Sequence, residues 1–196
     1  MQVRVRETIR KIPAKYTRLQ LTGIMFLALI TSFTIGMFIP LPYDDAIRYA
    51  DIYNAIVKHF MAREGFMGKV SFILLNNIRV MFIAILPLVG PLFTLYSAFN
   101  SGLVMNAVAI VEGKSRMFLY LITLIMPHTW IEFLSYAIVS AESLYVSIQL
   151  IKKAPLKDET FYILIVLLVS TGLLIIAAII EVSSILFIKG SLTKLI

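Results

Sequence analysis

The residues in this chain best suited to chemistry form one short string, Pro127-His128-Thr129-Trp130-Ile131-Glu132, inside a long apolar stretch. Ionisable groups at bilayer depth are costly and mark function or helix pairing. His128 and Glu132 are four apart, so on a helix the imidazole and carboxylate share one face and can meet or point together into a bundle. Continuing that spacing through Ser135 and Val139 brings Glu142 onto the same stripe. His128, Glu132 and Glu142 would then line one interior seam, unless Pro127 splits the segment into a re-entrant half-helix and a following span.

The surrounding sequence says where such a seam must lie. Of 196 residues, 60% are hydrophobic, and several apolar runs reach membrane-spanning length. These runs are apolar all round, as lipid-facing helices are. The fold expected is an all-α, polytopic transmembrane bundle: one integral membrane domain over residues 1–196, with about five spans, some broken or kinked.

The first run, Leu19 to Ile39, would make about 31 Å of helix at 1.5 Å per residue, enough to cross the hydrocarbon core. Ahead of it, residues 1–18 carry six of the eighteen basic residues: Arg4, Arg6, Arg10, Lys11, Lys15 and Arg18. This tail reads as cytoplasmic under the positive-inside rule. With no small-residue cleavage site, the run reads as a retained span in a cell membrane. Pro40-Leu41-Pro42 ends it. Residues 43–69 balance Asp44, Asp45, Asp51 and Glu64 against Arg48, Lys58, Arg63 and Lys69. Ala46, Tyr49, Tyr53, Ile56 or Val57, and Phe60 recur at helical spacing, predicting an extracytoplasmic amphipathic helix against the membrane face or the bundle.

Residues 70–111 are too long for one span, and Pro87-Leu88-Val89-Gly90-Pro91 divides them into about 70–88 and 91–111. Asn76, Asn77 and Arg79 fall near the start of the first, Asn100 and Asn106 in the second. Amides at this depth usually hydrogen-bond between helices, and Arg79 is close enough to an interface to snorkel. Met117 to Ile151 follows a short linker, and Phe161 to Ile188 makes a last span with Glu181 near its outer end. Lys152, Lys153 and Lys157 argue for an inside loop, Lys189 and Lys194 against an outside C-terminus.

Several functions lack their parts. The net charge of +7 comes without a base-reading or phosphate-cradling motif, so no nucleic-acid partner is expected. Zero cysteines exclude disulfides, Cys-ligated zinc and iron-sulfur clusters. The two histidines, His59 and His128, lie on different segments, and no serine sits in a Gly-x-Ser-x-Gly setting, so neither a metalloprotease nor a serine hydrolase is supported. No cofactor and no enzymatic activity are expected. A transporter or channel subunit is the stronger competitor, because His128, Glu132 and Glu142 are the groups that proton paths use.

Taken together, Asn76-Asn77-x-Arg79, Asn100-Ser101-Gly102 and Pro127-His128 with Glu132 resemble the stage II sporulation protein M family. The likeness in layout covers about residues 20–190, with its specific signal between 72 and 142. Thr129 stands where the family pattern has glycine, and Glu142 where a small residue is expected. The resemblance implies a small polytopic membrane protein working with other membrane proteins in envelope remodelling as a non-enzymatic scaffold. With Glu142 added from the helical stripe, Asn76, Asn77, Arg79, Asn100, Pro127, His128 and Glu132 make up the expected intramembrane polar motif. The expected partners are the lipid bilayer and either a second copy, a dimer by preference, or other membrane proteins. Ala137 and Ala141 beside Ser140 offer a small-residue surface for close helix contact.

Overall fold

A computed structural model of the chain describes residues 14–153, 156 and 159–192. Within them the chain is all-helical. The helices are α1 (Ala14–Phe38), α2 (Tyr43–Met61), α3 (Gly65–Ala84), α4 (Gly90–Val111), α5 (Arg116–Ile125), α6 (Pro127–Ile151) and α7 (Glu159–Leu192). Five of them, α1, α3, α4, α6 and α7, are long and apolar enough to cross a membrane. Most of the expected basic tail lies outside the described residues. Its last member, Arg18, is in α1 and largely buried.

Each break has a local cause. Pro87 and Pro91 interrupt the long apolar run, but α3 ends at Ala84 and α4 restarts at Gly90, so the first span is shifted towards the N-terminus of the expected 70–88. The intervening turn is held by Leu88, whose N–H donates to Ser147 Oγ at 2.7 Å and whose φ is 67°. A second joint sits at Gly65, φ 62°, a conformation that favours glycine. It starts α3 there, so the amphipathic segment ends at Met61 and residues 65–69 belong to the span.

The amphipathic helix packs on the bundle. Ala46, Ala50 and Phe60 of α2 are buried, and α2 lies against α4. Tyr53 shares that inward side, and loss of solvent there raises its phenol above the ordinary range.

Three apolar cores tie the spans together. Met25, Leu29 and Phe33 of α1 meet Ala98 of α4 and Phe133, Ala137 and Ala141 of α6. Met81 and Ala84 of α3 meet Val139 and Leu174, and Phe60 and Val70 meet Ala178 and Val182. Where α1 crosses α4, backbone touches backbone: a Cβ on Gly36 would stand 2.1 Å from the Phe99 carbonyl oxygen, and one on Gly102 2.1 Å from that of Phe33. Small residues allow the close approach on which packing in lipid relies. The same logic places Ala137, Ser140 and Ala141 inside the chain. All three are at most 1% exposed, so this small-residue surface is spent on the protein's own helices and is not open to a second copy.

Candidate functional site

Helix α6 organises the polar residues, and Pro127 explains how it starts. Proline disfavours helical geometry in the residue before it, and Met126 is extended at φ −70°, ψ 123°. At the first helical position the missing proline N–H costs no hydrogen bond. Pro127 therefore divides α5 from α6, which is the split alternative for the Met117–Ile151 run, and puts His128 and Glu132 in the first two turns of α6.

One polar cluster lies near the Arg18 end of the bundle. Glu142, 2% exposed, accepts two hydrogen bonds from Arg18, 2.7 Å from Nε and 3.2 Å from Nη2. Arg18 Nη2 also pairs with Glu159 at the start of α7. The rings of Tyr145 and Tyr162 lie 4.0 and 4.2 Å from the guanidinium carbon. A planar guanidinium can satisfy two carboxylates and stack on aromatic faces at once. This cluster joins α1, α6 and α7.

The second cluster occupies a cavity of about 240 Å³ among the spans. Glu132 and Glu181 both line it, with Asn76, Asn77, His128 and a set of hydroxyl-bearing residues. Asn77 Nδ2 donates to Glu132 Oε1 at 2.6 Å, linking α3 to α6. His128 Nδ1 is buried without a hydrogen-bond partner among the described residues. An adjoining cavity of about 270 Å³ shares Asn76, Asn77, Glu132 and Glu181 and reaches Ile56 of α2.

The expected single seam is thus divided in two. His128 and Glu132 line the cavity, whereas Glu142 faces Arg18. Ten residues advance a helix by about 1000°, which leaves Glu142 about 80° off the Glu132 direction. Glu181, towards the C-terminal end of α7, lines the same cavity wall as Glu132. Of the other polar residues in the spans, Asn106 Nδ2 bonds the Ile39 carbonyl at 2.8 Å and that of Gly36 at 3.4 Å, closing the end of α1. Asn100 is half-buried. Arg79 is exposed on α3.

Sequence reasoning passed over Arg18 and Glu159 as a pair. The available signal was an arginine and a glutamate each sitting where a polar segment enters an apolar run. Ser135 and Ser140 are legible only as members of a stripe and of a small-residue surface; that Ser135 and Ser170 bond across α6 and α7 and that Ser140 donates to Thr94 Oγ1 at 2.9 Å is not.

The five apolar spans and the polar residues between them define a multi-pass, all-helical integral membrane protein. The model of the family Stage II sporulation protein M matches residues 21–183, and the chain belongs to that family. The matched segment contains both Glu132 and Glu142, while Arg18 stands just ahead of it. Comparison with curated proteins and with solved structures gave no significant match.

Proposed function

We propose that this protein is a non-enzymatic component that assembles or braces a complex in a cell membrane, with residues ahead of α1 on the cytoplasmic side. The observation that carries this reading is how its membrane-depth polar groups are used. Arg18 ties α1 to α6 and α7, Asn77 ties α3 to α6, Asn106 ties α4 to α1, and Ser135 ties α6 to α7. Polar side chains in lipid that bond across helices set the register of a bundle. Such a rigid body suits a part whose task is to hold others. Family membership is consistent with this role.

The natural absence of cysteine allows a direct test. Single cysteines placed on lipid-facing positions such as Leu27, Leu92 and Leu168, all exposed, would carry a thiol-reactive photo-crosslinker in native membranes. Discrete adducts from one face, to a second copy or to one recurrent protein, are expected. Featureless labelling from every face would contradict the proposal.

A second reading rests on the cavity, where Glu132 and Glu181 could carry protons or a cation through the bundle. It requires that proteoliposomes of the purified chain show a flux that Glu132→Gln abolishes while the fold survives. A wild-type protein without flux removes it.

A further inference from the structure

Helix α3 presents an anomalous surface on its outer side. Gly68, Ser71, Leu75 and Arg79 follow one another at spacings of three and four, with Asn76 next to Leu75 and three residues before Arg79, so they form one stripe along the helix. They line a groove of about 300 Å³ that Arg63 closes at its far end. Ser71, Leu75, Asn76 and Arg79 are exposed, and the side chains of Asn76 and Arg79 make no hydrogen bond or ion pair with any described residue. Small and polar residues in a row are what helix-helix contacts in lipid use, and an arginine within a span almost always has a partner. Among the described residues Arg79 has no such partner.

Position along the helix narrows the occupant. Arg79 is five residues from Ala84, about 7.5 Å of rise, close enough for its long side chain to reach a headgroup. Asn76 is about 12 Å from that end and farther from Gly65. Its short amide reaches neither surface, so a lipid phosphate serves Arg79 but leaves the rest of the stripe unexplained. A second copy is also poorly suited. The chain's span-borne carboxylates are turned inward, Glu142 onto Arg18 and Glu132 and Glu181 onto the cavities, so its lipid-facing surface offers nothing complementary to Arg79 among the described residues.

We propose that this stripe docks a transmembrane helix of a different protein, one that carries a carboxylate at the depth of Arg79 and a hydrogen-bonding group near Asn76. The proposal rests on the assembly reading and names the chemistry of its partner. Charge complementarity at Arg79 sets the register, Gly68 and Ser71 allow close approach, and Asn76 supplies the second polar contact.

The full-length protein, donor-labelled and reconstituted in phosphatidylcholine vesicles, tests this by energy transfer to synthetic Leu/Ala transmembrane helices. One helix carries a single Glu at the depth of Arg79, and its control carries Leu there. The Glu helix should associate roughly fivefold more tightly than the control, the range expected of one polar contact in lipid. Arg79→Gln should erase the preference, Asn76→Leu should reduce it, and Arg79→Glu should transfer it to a Lys-bearing helix. Because Arg79 is exposed, unchanged helicity and elution of Arg79→Gln serve as the folding control. Equal transfer from both helices overturns the proposal, as does a preference that survives Arg79→Gln. A phospholipid retained in an Arg79-dependent way and not displaced by the Glu helix also overturns it in favour of a lipid site. If the extracted protein is heavier than a monomer but shows no preference, the α3 docking falls and assembly stands. A bare monomer removes both.

Discussion

Glu132 and Glu142 are the same residue type on the same helix, yet their surroundings differ in kind. Glu142 is matched: a guanidinium grips both its oxygens, two tyrosine rings flank that guanidinium, and little solvent reaches it. Glu132 has one amide donor and otherwise looks into open space shared with Glu181 and an imidazole nitrogen without a partner among the described residues. Buried charge is tolerated in proportion to how completely it is paired. The first cluster is therefore a structural fastening of three helices, and the second is polar room left within the bundle.

This contrast orders the effects of substitution. The largest is expected at Arg18→Met, which strands the buried Glu142 carboxylate, removes one partner of Glu159, and should lower stability by about 3–5 kcal/mol. Unfolding midpoints in mixed micelles measure it, and adding Glu142→Met should restore much of the loss. Next comes Gly102→Val, which drives a side chain into the backbone of α1 and should cost about 1–3 kcal/mol. Gly23→Ala, with nothing within 4 Å of the new Cβ, should be close to neutral in the same titration. Glu132→Gln keeps a carbonyl oxygen able to accept from Asn77 and should shift stability by less than about 1 kcal/mol. A loss there as large as at Arg18 would erase the distinction between fastening and cavity. The smallest effect is expected at Asn100→Leu, within about 0.5 kcal/mol, because this half-buried amide bonds to no described residue.

The sequence makes the spans legible because hydrocarbon imposes length and composition on them, so α1 and α4 lie close to where apolarity puts them. Boundaries set by tertiary contacts are less visible: α3 begins at Gly65 through a positive φ and stops short of Pro87 because of a turn bonded to Ser147. The same division runs through the site. Pro127, His128 and Glu132 announce themselves by polarity in an apolar run. That Asn77 would meet Glu132, or Arg18 reach past α1 to Glu142 and Glu159, depends on which helices become neighbours, and periodicity along one helix does not contain that. Glu142 illustrates the failure: a stripe extended by threes and fours drifts with each step, and the drift carried it to another partner.

Mass is the most direct test of the assembly account. Protein extracted from native membranes in polymer-bounded lipid discs can be weighed by native mass spectrometry, without detergent to separate weakly held partners. The account predicts a particle heavier than one 22.1 kDa chain with its lipids, the excess matching an integral number of protein chains. A lone chain with lipid alone, obtained reproducibly from intact membranes, would contradict it.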